Sequence, residues 1–241
     1  MHVYYEKKSK DIIAQTDVFL FLGRDIFLKY YDCDFTNIVL KETRENNITL
    51  LNDLPYIGGD INRLTTNLIG AAIALALYQS MRQHGKNAED TARIYYEVLE
   101  YVYDNNLIPV QKMTNHPNLV EKLVEQEKNL EQFLQKREYA ENWVSKYVAG
   151  TGTDFHYGRD YQECGIVKLL KHHHADDLIP YMCLVDYLSY KAQHIGLTRT
   201  KTLAHDNVAC DFRFIVGSEK IKLEAFSEEL LIKWGKLIST H

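Results

Sequence analysis

The spacing of apolar residues in the first half of the chain predicts helices. Three stripes recur every three or four residues, the spacing that places side chains on one face of a helix. The stripes consist of Ile61, Leu64, Leu68, Ala72, Leu75 and Tyr78; of Ala92, Tyr95, Tyr96, Leu99, Val102 and Tyr103; and of Leu119, Leu123, Leu130, Phe133 and Leu134. Asp60 is the predicted N-cap of the first of these helices and Gly85 its stop. Two earlier helices are predicted over about residues 8–30 and 34–47.

The second half of the chain has a different pattern. The segment VAGTGTDFHYGRDYQ, residues 148–162, interrupts the helical spacing with three glycines. We therefore expect a helical region over 1–147 and an α+β, cysteine-containing region over 148–241, as two domains or as one integrated domain. Two short helices, a hairpin and a last helix with Trp234 and Leu237 on its inner face are predicted there. The fold class is α+β, with the helical N-terminal half packed on a C-terminal part that holds a small antiparallel sheet and flanking helices.

The alternation along the strand VACDFRFIV separates Cys210 from Asp211 and Arg213. A period of two places Val208, Cys210, Phe212, Phe214 and Val216 on one side, and Ala209, Asp211, Arg213 and Ile215 on the other. Cys210 should therefore face away from Asp211 and Arg213, unless a bulge brings them together. The three residues form two sites, or one site and a brace in which Asp211 and Arg213 pair across the hairpin.

Composition and charge exclude some classes of function. The chain has 241 residues, of which 46% are hydrophobic and 25% charged, as in ordinary globular proteins. A formal net charge of -5 argues against nucleic acid as a partner. The longest apolar stretch, Leu68–Met81, is too short to span a bilayer, so it predicts a core helix and no membrane partner. The 17 tyrosines leave a homo-oligomer open.

The four cysteines are expected to be free thiols in a reducing cytoplasm, because the segment MHVYYEKKSK has no export-signal pattern. If Asp160 caps a helix, Cys164 lies at the end of its first turn, where the helix dipole favours thiolate. If Asp176 or Asp177 caps the next helix, Cys183 also lies early, with Asp186 on its face. Both thiols are therefore predicted to have lowered pKa values. The alternative is a buried cysteine that acts as a small hydrophobic residue, an interpretation that stays open for Cys210.

Metal binding has weak support in the sequence. The run His172–His174 ends a predicted helix, and consecutive helical positions do not converge on one ion. Zinc on the three later cysteines has no CxxC pair to support it, and spacings of 19 and 27 residues match no common zinc-finger pattern. We predict no metal and no other cofactor.

The region from Asp160 onward resembles the L-2-amino-thiazoline-4-carboxylic acid hydrolases. The resemblance rests on Cys164 opening one helix, Cys183-Leu-Val-Asp186 in the next, the run RTKTL from Arg199 to Leu203, and the run CDFR from Cys210 to Arg213. The match is firm over about 55 residues and looser over the helical half. One departure is the turn His205-Asp206-Asn207, where the family usually has glycine.

The resemblance implies an enzyme that opens a small cyclic isothiourea carboxylate to a carbamoyl-cysteine. It implies Cys164, Cys183, Asp186 and Cys210 as catalytic candidates, with Asp186 as the acid near the ring nitrogen. Arg199, Asp211 and Arg213 are candidates for binding the substrate, whose carboxylate suits a guanidinium. Covalent thiol catalysis is preferred to zinc hydrolysis.

Two other classes of function stay open. The α+β half is also similar, more distantly, to vinyl-reductase-type ligand-binding domains, which hold a small molecule without turning it over. On that interpretation the protein is a sensor or accessory protein. The third possibility is a related biosynthetic enzyme that acts on another amidine, thioether or cysteine-derived substrate.

Overall fold

The computed structural model describes residues 1–107 and 118–236. The predicted inward position of Leu237 lies outside the described residues. The chain forms two compact units, the first from residues 1–101 and 165–182 and the second from residues 102–164 and 183 onward. The predicted domain boundary at residue 148 stays a prediction.

Helices form most of the first unit and also occur in the second. Those of the described ranges are, in chain order, α1 (Val3–Phe27), α2 (Cys33–Leu50), α3 (Thr65–Gln83), α4 (Ala88–Asp104), α5 (Leu119–Gln135), α6 (Gly165–His172), α7 (Ile179–Met182), α8 (Val185–Ala192) and α9 (Ala225–Lys233). Short 3-10 helices cover Gly59–Ile61, Asp176–Leu178 and Leu203–His205.

Helix α3 is the central core helix of the first unit, as its apolar sequence predicts. Almost every residue from Leu68 to Met81 is buried. The prediction that Asp60 caps this helix is wrong. Asp60 lies in the preceding 3-10 helix and accepts a hydrogen bond from Tyr4, while α3 begins only at Thr65. Within the described residues, no helix has the length and apolar character needed to cross a membrane.

A five-stranded sheet forms the centre of the second unit. Its strands are β1 (Val144–Ala149), β2 (Tyr157–Glu163), β3 (Ile195–Thr198), β4 (Cys210–Val216) and β5 (Ile221–Lys222), in the spatial order β1-β2-β4-β3-β5. All neighbouring pairs are antiparallel except β3 and β5, which are parallel. The sheet and its helices confirm the predicted α+β class.

Strand register determines which side chains share a face of the sheet. In β2 and β4, Arg159 is directly opposite Phe212 and Tyr161 is directly opposite Cys210. Directly paired residues point to the same side, so these four side chains share one face. Helix α5 contacts β1 and helix α8 contacts β3 in this unit.

The link between β3 and β4 is longer than a tight hairpin turn. It includes the 3-10 helix Leu203–His205, after which Asp206 adopts a left-handed conformation with a φ of 56°. Aspartate tolerates this conformation better than most residues other than glycine, which explains how the turn forms without glycine. The side chain of Asn207 reinforces it by donating to the backbone oxygens of Thr202 and His205.

Candidate functional site

Three of the four cysteines interact with one another in the second unit. The Cys183 thiol is close enough to the Cys164 and Cys210 thiols for their charges to affect its pKa. We call these three residues the thiol cluster. Cys210 is buried, and Cys164 and Cys183 are half-buried. Cys33, by contrast, is exposed at the start of α2.

The local settings of the cluster differ from those predicted. Asp160 belongs to strand β2 rather than to a helix cap, and Cys164 lies directly between that strand and α6. Cys183 lies between α7 and α8, because the predicted continuous helix is broken there. Cys210 is the first residue of β4, and its Sγ accepts a hydrogen bond from the Leu203 N–H at 3.2 Å.

Arg199 is the charged centre beside the thiol cluster. Its side chain is 0% exposed, and its Nη1 donates to Asp186 at 2.6 Å. Its Nε donates to Glu224 at 2.9 Å, and its Nη2 donates to Glu224 and to the carbonyl oxygen of Cys183. The guanidinium also lies over the ring of Phe212, 5.2 Å from its centroid. A single buried cation therefore joins two carboxylates to the backbone at Cys183.

Burial has the largest effect on the pKa values of Cys183 and Cys210. It raises the pKa of the Cys183 thiol well above its ordinary value, although the charge of Arg199 acts in the opposite direction. Burial also raises the pKa of Cys210 to about 12, against the lowering effect of the Leu203 N–H. The prediction of a lowered pKa for Cys183 is therefore wrong, because desolvation outweighs the neighbouring cation.

The pKa of the Asp186 carboxyl is also raised. Burial raises its pKa, and the opposing effect of Arg199 does not cancel the shift, even though 38% of the side chain is exposed. For Arg199 itself, burial lowers the pKa, but the charges of Asp186, Cys183 and Glu224 outweigh burial and raise it. Arg199 stays protonated, while Asp186 holds its proton more tightly than an ordinary aspartate.

Asp211 and Arg213 lie on the other face of β4. Buried and partly exposed positions alternate along the strand from Cys210 to Phe214, as its period of two predicts. Asp211 accepts hydrogen bonds from the Thr200 N–H at 2.8 Å, the Thr200 hydroxyl at 2.6 Å and the Lys201 N–H at 2.6 Å. Arg213 donates to Asp160 of the neighbouring strand at 2.7 Å. Asp211 therefore acts as a brace for the segment that follows Arg199.

One residue of the predicted inward set is misplaced. Val208 is 91% exposed, because it precedes the start of the strand and takes no part in its alternation. The inward face of β4 begins at Cys210.

In the described part of the second unit, sequence reasoning missed three buried charged residues. Glu224 precedes α9 and pairs with Arg199 from 25 positions away, so no local pattern reveals it. Arg159 and Glu127 form a second buried ion pair, with side chains 6% and 5% exposed. Arg159 also donates to the hydroxyl of Tyr161. A signal for Glu127 does exist, since it shares the apolar stripe of Leu123, Leu130 and Leu134 along α5.

Within residues 1–107 and 118–236, no three histidine, cysteine, aspartate or glutamate side chains are grouped so that they could hold a metal ion. Neither the thiol cluster nor the run His172–His174 therefore has the grouping of side chains that a metal ion needs.

Comparison with known proteins identifies the family. A family model described as L-2-amino-thiazoline-4-carboxylic acid hydrolase matches residues 66–214, a span that contains the thiol cluster, Asp186 and Arg199. Neither the curated proteins nor the solved structures give a match. Since the matched span covers more than half of the sequence, the chain belongs to the L-2-amino-thiazoline-4-carboxylic acid hydrolase family.

Proposed function

We propose that this protein is a hydrolase that opens a small cyclic isothiourea carboxylate, of the aminothiazoline-carboxylate class, to a carbamoyl-cysteine product. The observation that carries the proposal is the environment of Cys183. Its thiol interacts electrostatically with Cys164, Cys210, Asp186 and Arg199, all inside the span that defines the family. A nucleophile, a carboxyl group and a fixed cation are the groups that this reaction requires.

In the first half of the proposed reaction, the Cys183 thiol adds to the ring carbon between sulfur and the two nitrogens. A bond forms from Cys183 Sγ to that carbon, the thiol proton leaves through Asp186, and the ring carbon–sulfur bond breaks. The ring sulfur takes a proton and becomes the free thiol of an open-chain isothiourea on Cys183. Enzyme and substrate combine without loss of any atom in this step.

In the second half, one water molecule adds to the same carbon. The bond to Cys183 Sγ breaks, the cysteine regains its proton, and the carbon keeps the water oxygen as a carbonyl. The product is an N-carbamoyl cysteine, which is the substrate plus one water. Cys183 is therefore regenerated without an oxidant or a reductant.

The pKa shifts suit this assignment. Because burial raises the pKa of Cys183, its thiol is neutral before substrate binds and needs a proton acceptor to react. A carboxyl with a raised pKa accepts a proton more readily than an ordinary aspartate, and Asp186 has that property. Arg199 holds Asp186 in place through its 2.6 Å hydrogen bond.

Arg199 is also our candidate for binding the substrate carboxylate. Among the described residues, its Nη1 has one hydrogen-bond partner, Asp186, for its two hydrogens. The second Nη1 hydrogen can therefore bind the carboxylate without loss of the Glu224 pair. Arg213 is a weaker candidate, since it lies on the opposite face of β4 and donates to Asp160.

Thiol release from 2-amino-thiazoline-4-carboxylate tests the proposal. The product can be separated from the protein and quantified by mass spectrometry, with Cys183→Ser as the test variant and Cys33→Ser as the matched control. We expect Cys183→Ser to lower kcat by about 1000-fold or more, and Cys33→Ser to behave as wild type because Cys33 is exposed and outside the cluster.

Two results would contradict the proposal. Wild-type kcat in Cys183→Ser would exclude this thiol as the nucleophile. Tight binding of the compound by the wild-type protein with no release of product thiol would favour a ligand-binding function over hydrolysis.

A further inference from the structure

Thr202 is buried beside the thiol cluster, and the proposed reaction gives this residue no role. It is 1% exposed, and its Oγ1 is buried with no hydrogen-bond partner among the described residues. Burying a hydroxyl without a partner is unfavourable, so folded proteins rarely do so without a reason. An unpaired buried hydroxyl next to a reactive group is therefore a candidate contact for a reactant.

The backbone fixes Thr202 relative to Cys210. The peptide N–H that follows Thr202, that of Leu203, donates to Cys210 Sγ at 3.2 Å. The Thr202 carbonyl accepts a hydrogen bond from Asn207 Nδ2 at 3.1 Å and another from the His205 N–H at 3.2 Å. Three hydrogen bonds of the single peptide group between Thr202 and Leu203 thus hold Thr202 next to the thiol cluster.

The preceding residues are held equally firmly. Asp211 accepts hydrogen bonds from both Thr200 and Lys201, and its own N–H donates to the Lys201 carbonyl oxygen at 3.3 Å. Arg199, at the start of the segment, is fully buried in its pairs with Asp186 and Glu224. The segment therefore holds the backbone of Thr202 in a fixed position, and positioned groups of this kind are what a catalytic site requires.

We propose that the Thr202 hydroxyl positions the water molecule that hydrolyses the isothiourea held on Cys183. This inference rests on the proposed function, since it concerns the second half of that reaction. A hydroxyl both donates and accepts hydrogen bonds, so it can hold a water molecule and orient one of its lone pairs. The same segment contacts Cys210, because the Leu203 N–H donates to Cys210 Sγ at 3.2 Å, and the Cys210 thiol is close enough to Cys183 to affect its pKa. In this proposal the water lies between the Thr202 hydroxyl and the carbon attached to Cys183.

Replacing Thr202 by valine tests the proposal, because valine has nearly the same shape and no hydroxyl. We expect kcat for 2-amino-thiazoline-4-carboxylate to fall about 100-fold, the usual effect of losing one positioned hydrogen-bonding group. Since ring opening does not use this water, KM should not rise. Intact-protein mass spectrometry should show the enzyme accumulating with the mass of one substrate added. Thr202→Ser, which keeps the hydroxyl, should restore most of kcat.

Thermal unfolding distinguishes this role from a structural one. Because the Thr202 hydroxyl has no hydrogen-bond partner within residues 1–107 and 118–236, Thr202→Val should have a Tm equal to or above that of wild type. Thr65→Val is the matched control, since the Thr65 hydroxyl is buried and donates to the Gly59 carbonyl oxygen at 2.8 Å. This control should lose about 2–4 °C in Tm and keep wild-type kcat.

The outcomes are distinct. A wild-type kcat in Thr202→Val would overturn the inference. A raised KM without a covalent adduct would also overturn it, because the hydroxyl would then be a contact for the substrate and not for the water. Failure of the wild-type protein itself to release product thiol would instead refute the proposed function, and the inference with it. A slow Thr202→Val variant that accumulates the adduct would support both.

Discussion

Replacing Arg199 by methionine should destabilise the protein strongly. Methionine keeps much of the side-chain volume but removes the buried cation that pairs with Glu224, whose side chain is 7% exposed. Removing one partner of a buried ion pair costs about 3–5 kcal/mol, because the other charge is left uncompensated. Asp186 adds less to this cost, since 38% of its side chain is exposed to screening by solvent. At about 2–4 °C per kcal/mol for a chain of this size, Tm should fall by about 6–20 °C.

Arg213→Met is the matched control for this substitution. Arg213 pairs with Asp160 at a similar distance of 2.7 Å, but the two side chains are 24% and 35% exposed. A solvated pair contributes at most about 1 kcal/mol, so the control should lose only about 2–4 °C. Thermal and urea unfolding of both variants, followed by circular dichroism at neutral pH, measure the difference.

A double-mutant cycle tests whether the unpaired charge of Glu224 causes the loss of stability in Arg199→Met. Glu224→Gln in the Arg199→Met background removes the unpaired charge, so the double variant should recover part of the lost free energy of unfolding. Two results would refute the assignment of Arg199 as the compensating charge. The first is that Arg199→Met loses no more stability than Arg213→Met. The second is that Glu224→Gln destabilises the Arg199→Met variant as much as it destabilises wild type.

Two further predictions concern the groups with shifted pKa values. Asp186→Asn should abolish product release and leave the free energy of unfolding at neutral pH unchanged or higher. The reason is that folding raises the pKa of Asp186, so the folded protein holds this proton more tightly than the unfolded chain does. The contribution of Asp186 to stability therefore falls as pH rises from about 3.9 through the folded pKa. Urea unfolding across that pH range should show that the free energy of unfolding of wild type decreases as pH rises, and that the decrease is smaller in Asp186→Asn. If this substitution instead made the decrease larger, the sign of the pKa shift would be contradicted. In the folded protein, iodoacetamide at about pH 8 should modify exposed Cys33 well before Cys210, whose pKa of about 12 leaves almost no thiolate. Peptide mass spectrometry after timed labelling measures both rates, and equal rates would show that Cys210 is neither buried nor neutral.

Local patterns in the sequence predicted the elements that depend on local spacing. The period of two in β4 correctly separated Cys210 from Asp211 and Arg213, and the apolar run of α3 correctly predicted a core helix. In both cases one face or one whole helix is buried, so the apolar spacing carries the information.

The sequence could not predict features that depend on distant partners. The helix predicted to begin after Asp176 or Asp177 contained Cys183, but the structure breaks it there. The Cys183 carbonyl oxygen accepts a hydrogen bond from Arg199, 16 positions later. Asp160 had the spacing of a helix cap, yet strand pairing on both sides places it in β2. The raised pKa of Cys183 has the same origin, because desolvation is produced by the packed unit and not by neighbours in sequence.

The pairing of Arg199 with Glu224 sets a lower limit on the functional fragment of this protein. The matched family span ends at Phe214, ten positions short of the carboxylate that compensates the buried guanidinium. A truncation at that point would keep every cysteine of the cluster and still leave Arg199 with half of its counter-charge missing. A shortened form of this protein that keeps Arg199 fully paired therefore has to extend past Glu224 and into α9.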